Sequence, residues 1–254
     1  SENMMLISCG SSGIGFEMAK EFLKRNNKVI ITGRNEQKLQ EVKEKLDGVV
    51  AIRSDVSNPD DIKKLYQQVK KEFPDLNILI NNAGIMWTIN LQDHKLSAND
   101  ITKELDINVK GPIWMNDVFL PLLKENKNSA IVTVSSGLAF VPLPISPVYC
   151  ATKAALHSYT LSLREQLRNT TIKVFELAPP ATKTELLADF NEEDMKGISA
   201  MSVQAMVADF FKGFSNDKYE ICPGQSSQMK FMSRYFPAFI LKQLSKTVDR
   251  MHAT

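Results

Sequence analysis

The chain has 254 residues, 43% of them hydrophobic and 24% charged, which is enough for one large α/β domain or two small ones. Its formal charge of +2 is near balance, and lysines alternate with glutamates through residues 36–45, a solvated helix face and not a nucleic-acid footprint. No run of eighteen apolar residues and no basic leader with an apolar core occurs, so no membrane span or export signal is expected and the cytoplasm is the default compartment.

Residues 1–3 precede the first methionine. From there, short β-rich runs at 4–8, 29–32, 49–53, 78–80, 130–134, 172–177 and 219–222 each have the length of a buried strand. Between them, segments such as 15–26, 36–46 and 59–73 carry apolar residues at three- and four-residue spacing and read as crossover helices. Parallel neighbours require such crossovers, so the alternation predicts a Rossmann-type, doubly wound α/β fold: a parallel sheet of about seven strands with helices on both faces. No low-complexity linker or repeat interrupts it, which favours a single domain over 1–254. Residues 183–215 lack a strand and are rich in methionine and phenylalanine, predicting a substrate lid of helices over the carboxyl edge of the sheet. Residues 226–254 form a C-terminal extension.

The first strand runs into Ser8-Cys9-Gly10-Ser11-Ser12-Gly13-Ile14-Gly15 and then a helical pattern. A glycine cluster between a strand and a helix is a phosphate-binding turn, because the backbone can approach a pyrophosphate and the helix offers free amides to it. Gly10, Ser11, Ser12, Gly13, Ile14 and Gly15 are therefore candidate dinucleotide contacts. At the end of strand two, Thr32-Gly33-Arg34 lacks the carboxylate that a site selecting NAD would set against the ribose hydroxyls. Arg34 is placed to pair with a 2′-phosphate, so NADP(H) is the preferred cofactor and NAD(H) the second candidate; a solvent-facing arginine opening the next helix is the alternative.

Further along stand Asn81-Asn82-Ala83-Gly84, Ser135-Ser136 and Tyr149-Cys150-Ala151-Thr152-Lys153. One helical turn separates Tyr149 from Lys153, which sets ammonium and phenol on one face, so the positive charge is expected to lower the phenol pKa from its ordinary value of about 10. A tyrosine poised in this way can exchange a proton with a carbonyl oxygen.

In this order, these motifs resemble the short-chain dehydrogenase/reductase superfamily over nearly the whole chain, to about residue 225. The resemblance implies that Ser136, thirteen residues before Tyr149, donates a hydrogen bond to the substrate oxygen. It makes Tyr149 the general acid/base, Lys153 the holder of the nicotinamide ribose, and Asn108 the residue that holds a water for the proton relay. Asp55 and Val56 match the adenine-contacting pair, and Asn81, Ala83 and Gly84 the turn beside the adenosine half. Pro179, Thr182 and Thr184 belong to the segment touching the nicotinamide carboxamide. Two departures stand out: Ser8-Cys9 replaces the usual Thr-Gly, and Pro179-Pro180 the usual Pro-Gly. If the turn requires positive φ at Cys9, its Cβ crowds it, and Pro180 removes a backbone donor. The runs Val148 to Ser158 and Ala178-Pro179-Pro180 are similar to a bacterial subgroup of DltE-like oxidoreductases.

Other residues carry blander readings. Cys9, Cys150 and Cys222 are odd in number and far apart, which suits reduced thiols and neither a disulfide framework nor a zinc site. His94, His157 and His252 lack metal-ligand spacing, and no metal is expected. Pro142, Pro144 and Pro147 punctuate the loop before Tyr149, and the apolar set around Tyr235, Phe236, Phe239, Ile240 and Leu244 reads as subunit or core packing, with contact to a membrane surface as the alternative. Met86, Trp87, Leu138, Ala139, Phe140, Val141 and Leu186 are candidate pocket walls. The expected function is thus hydride transfer between NADP(H) and a small-molecule carbonyl or alcohol by a homodimer or homotetramer. A non-catalytic NADP(H)-binding regulator is the alternative.

Overall fold

The computed structural model describes residues 3–187, 190 and 199–251. Its strands are β1 (Met4–Ile7), β2 (Lys28–Gly33), β3 (Val50–Arg53), β4 (Ile78–Asn81), β5 (Ala130–Val134), β6 (Lys173–Leu177) and β7 (Glu220–Ile221). The helices are α1 (Gly13–Lys24), α2 (Glu36–Lys45), α3 (Pro59–Glu72), the short α4 (Ala98–Ile101) and α5 (Lys103–Leu105), α6 (Gly111–Glu125), α7 (Pro147–Leu167), α8 (Val203–Ser215), α9 (Gln225–Tyr235) and α10 (Pro237–Met251). A five-residue π-helical stretch, Asp106–Lys110, joins α5 to α6.

Local chemistry explains where the helices start. Asn35 caps α2 by accepting from the Lys38 N–H, with Glu36 in the first turn and Lys43 and Lys45 in the last. Asn58 does the same for α3, where Pro59 opens the helix ahead of Asp60 and Asp61.

The sheet is wholly parallel, in the order β3-β2-β1-β4-β5-β6-β7. Alternate strand residues feed opposite faces. Met5, Ile7, Val29, Ile31, Val132 and Phe175 pack with α1, α2 and α8, while Leu6, Ile30, Leu79, Ile131 and Val174 pack with α3, α6 and the end of α7. The strands therefore read as continuous apolar runs, as the burial of both faces of a parallel sheet demands. The chain moves outward from β1 to β3 and resumes at β4 on the other side of β1. This reversal leaves a crevice at the carboxyl ends of β1 and β4, where ligands of doubly wound sheets bind.

One expectation is corrected. Within 183–215, α8 does not lie over the carboxyl edge; it covers a sheet face, burying Met206, Val207 and Phe210, with Phe210 and Phe211 edge-on to Phe22 of α1. Its apolar residues at positions 206, 207 and 210 form one helical stripe, which faces the core formed with α1 and the strands and not the sheet edge. Of the rest of that expected lid, residues 188–189 and 191–198 lie outside the described residues.

Candidate active site

The turn after β1 is built around a constrained backbone. Cys9 has φ +54° and Gly13 φ +54°, both in the left-handed region. For Cys9 this confirms the crowding anticipated from its Cβ, since only glycine adopts that conformation without steric cost. A Cβ at Gly15 would lie 2.5 Å from the Cys9 carbonyl oxygen and 2.6 Å from Asn82 Nδ2, and one at Gly10 2.5 Å from Ile31 Cγ2. The turn is braced by Asn82, whose Nδ2 donates to the Ser8 and Cys9 carbonyls at 3.1 Å each, and by Ser8 Oγ, which accepts from the Asn82 and Ala83 N–H groups. Ser12 precedes α1 without a side-chain cap, so the amides of the first turn point outward unsatisfied by it. An uncapped helix start beside glycines that no Cβ could replace fits the pyrophosphate of a dinucleotide.

A cavity of about 400 Å³ extends from this turn along the carboxyl edge, past Gly84, Ser136, Tyr149 and Lys153. Ser136 ends the extended run after β5, and its Oγ accepts from the Leu138 N–H at 3.1 Å. Tyr149 and Lys153 lie in the first turns of α7, both buried. Burial pushes the Tyr149 phenol above its ordinary pKa, with a hydrogen bond to the Ser136 side chain opposing it. The expected lowering by Lys153 is therefore overturned: the ammonium is 5.5 Å from the ring centroid and donates to the Val134 carbonyl at 2.9 Å. Burial lowers Lys153 itself to about 8, with Glu104 and then Glu176 holding it up.

Asn108 sits in the π-helical stretch, its side chain paired with both backbone groups of Ile85: Oδ1 accepts from N–H at 2.9 Å and Nδ2 donates to the carbonyl at 2.8 Å. Nδ2 also reaches Thr152 Oγ1 at 3.1 Å. This side chain clamps the loop after β4 to α7.

The remaining expected contacts divide. Ser12, Gly13, Ile14, Gly84, Pro179, Thr182 and Thr184 line the cavity, as do Met86, Leu138 and Leu186 of the expected walls. Ser11 Oγ lies beside Gly33 at the end of β2, next to the exposed Arg34. Ala83 and Val56 pack together with Ile107 beneath the turn, and Asp55 is engaged with Ser57, accepting from its N–H and Oγ–H. Asn81 turns away: its Nδ2 donates to Asn116 Oδ1 at 2.8 Å inside the core, and it is Asn82 that faces the cavity. Trp87, Ala139, Phe140 and Val141 are not among the lining residues, Phe140 instead resting edge-on against His157.

Sequence reasoning missed several participants. Leu143, Leu187, Phe190, Met229 and Leu244 wall the cavity, so α9 and α10 of the C-terminal extension contribute to it. Lys38 stands near Arg34 and Cys9, paired with Glu185 at 2.9 Å. Glu104 is fully buried, and burial raises its carboxyl to about 7 despite the Trp87 N–H and Lys153. A glutamate one position before a leucine gives no sequence signal of this kind. His157 has a structural partner, Nδ1 lying 2.8 Å from an oxygen of the buried Glu176 whose other oxygen accepts from Ser135 Oγ. Cys150 meets the Leu143 N–H, and burial raises its thiol to about 11, which suits an inert core cysteine. No helix among the described residues is long and apolar enough to cross a membrane.

Known proteins carry the same architecture. The chain is 42% identical over 224 residues to an uncharacterized oxidoreductase, DltE, of Bacillus subtilis (strain 168), a match spanning 86% of this chain and 87% of the relative. In structure it is similar to a 3-ketoacyl-(acyl-carrier-protein) reductase of Brucella melitensis solved with NADH, at 27% identity and TM-score 0.77 over 85% of this chain and 92% of that one. A short-chain dehydrogenase of Burkholderia cenocepacia J2315 solved with NADP shares the fold at TM-score 0.83 and 21% identity, over 96% and 98% of the two chains. The family model for short chain dehydrogenases matches residues 3–195, covering the glycine turn, Ser136, Tyr149 and Lys153, and with it the chain belongs to the short-chain dehydrogenase family.

Proposed function

We propose that this oxidoreductase transfers a hydride between NADP(H) and a carbonyl/alcohol pair, with Tyr149 as general acid/base. The observation that carries the reading is the convergence of Ser136, Tyr149 and Lys153 on one cavity whose far end is the glycine turn. Nicotinamide supplies the hydride when bound; the protein supplies position and proton. Ser136 donates to the substrate oxygen while Tyr149, kept protonated by its burial, gives up its proton as charge grows on that oxygen. Lys153, cationic below about pH 8, offsets the phenolate left behind and holds the nicotinamide ribose. Arg34 and Lys38 flank the end of β2, where no carboxylate side chain stands at position 33, and this favours a 2′-phosphate over a bare ribose. The apolar walls, among them Met86, Leu143, Leu187 and Leu244, favour a substrate with a sizeable apolar portion.

The test is titration with NADPH and NADH by calorimetry, followed by a screen of aldehydes and ketones graded in apolar size. Tighter binding of NADPH and turnover of a bulky carbonyl are expected. Failure to bind either nucleotide refutes the proposal, and equal binding refutes the NADP preference.

A further inference from the structure

Glu104 is fully buried in α5. One carboxyl oxygen accepts from the Trp87 backbone N–H at 2.9 Å; the other has no hydrogen-bond partner and is sealed from solvent. It does not line the cavity, so it is no substrate ligand. A buried carboxyl with one orphaned oxygen is costly, and such a group persists where its charge has a use. The helix α5 packs against α7, and among the described residues the ionisable groups within electrostatic reach of Glu104 are Tyr149, Cys150 and Lys153, all on that helix. Lys153 in turn feels two carboxylates, Glu104 and, from β6, Glu176. Both oxygens of Glu176 are engaged, by Ser135 and His157, which leaves Glu104 as the anion not otherwise neutralised. On its own element Lys103 is exposed, and in the adjoining π-helical stretch Asp106 is paired with Lys110.

We propose that Glu104 is a positioning residue of the Tyr149–Lys153 pair: its buried carboxylate keeps the Lys153 ammonium charged, and its bond to Trp87 fixes the loop that walls the cavity. The charge role rests on the reading of Lys153 given above. Removing the anion leaves desolvation of Lys153 less opposed, so its proton is lost at lower pH. Glu104 takes part in no bond-making step.

Glu104→Gln keeps an acceptor for the Trp87 N–H and removes only the charge. The measurement is the pH dependence of NADPH affinity in wild type, Glu104→Gln and Glu104→Asp. A fall of about one unit in the Lys153 pKa cuts its protonated fraction about fivefold at pH 8 and hardly at all at pH 6. An NADPH affinity loss of that size at pH 8, absent at pH 6 and reversed in Glu104→Asp, is expected; superimposable profiles overturn the proposal. Calorimetric melting supplies a second arm independent of any cofactor. The folded carboxyl binds its proton more tightly than the unfolded one, so Glu104 destabilises wild type relative to Glu104→Gln increasingly as pH rises from 4.5 to about 7, then constantly above. A melting difference that is flat from pH 5 to 8 overturns the buried-charge assignment. If Lys153→Met binds NADPH like wild type at both pH values while the melting difference persists, the failure lies in the ribose-holding role of Lys153 and the buried Glu104 charge stands; a flat melting difference with Lys153→Met weakened places the failure in the Glu104 charge instead.

Discussion

Gly15→Ala is the sharpest test of the nucleotide-turn geometry. The added methyl would sit 2.5 Å from the Cys9 carbonyl oxygen, 2.6 Å from Asn82 Nδ2 and 3.0 Å from the Gly10 Cα. Two of these three are backbone atoms, which cannot swing aside, so the turn itself must shift. Overpacking of this kind costs about 1–3 kcal/mol. The shift also loosens the Asn82 brace, whose two 3.1 Å bonds contribute about 1 kcal/mol each. Alanine recovers about 0.5–1 kcal/mol of helix propensity in α1. The net loss is about 2–3 kcal/mol, a fall of roughly 5–10 °C in melting temperature for a domain of this size. The control is Gly84→Ala, whose Cβ would stand at ordinary contact, 3.5 Å from Lys153 Nζ and 3.6 Å from Asn108 Oδ1, and which should melt within about 2 °C of wild type. Differential scanning calorimetry of both variants decides it. A Gly15→Ala protein as stable as wild type, or one no worse than Gly84→Ala, refutes the argument.

Arg34→Ala should weaken NADPH about tenfold and leave NADH nearly unchanged, since a charged hydrogen bond contributes about 1.5–3 kcal/mol before solvent exposure reduces it; equal losses by isothermal titration remove Arg34 as the specificity residue. Tyr149→Phe should bind NADPH like wild type yet turn over about a hundredfold or more slower on any carbonyl found, because the ring remains and the proton donor is gone; a wild-type rate refutes its role. His157 is raised by its hydrogen bond to Glu176, so it stabilises the fold fully below its unfolded value of about 6.5 and loses that contribution as pH rises through the folded value. The stability advantage of wild type over His157→Gln in urea should accordingly be larger at pH 6 than at pH 9, and a constant advantage contradicts it.

How far the site was legible depended on the kind of signal. The glycine turn, Ser136 and the Tyr149–Lys153 spacing are local patterns, and each reached the cavity. The neighbouring asparagines were told apart only by packing. Asn81 is the last residue of β4 and its side chain enters the core toward Asn116, so the alternation of the strand turns Asn82 to the opposite side, where it braces the turn. The partner of Asn108 carries no local signal: the π-helical stretch brings its amide against Ile85, 23 residues away in sequence.

The sequence by itself determined the order of strands and crossovers, because continuous apolar runs and three-to-four-residue spacing follow from which faces must be buried. It also determined the nucleotide turn, because glycine is demanded by backbone geometry within a few residues. Only the tertiary structure decided the electrostatics. The sign of the Tyr149 shift depends on how much water the surrounding elements exclude, and burial raised it against the hydrogen bond to Ser136. The place of α8 on the sheet face, the contribution of α9 and α10 to the cavity wall and the burial of Glu104 likewise arise from contacts between distant segments, which no local pattern of residues encodes.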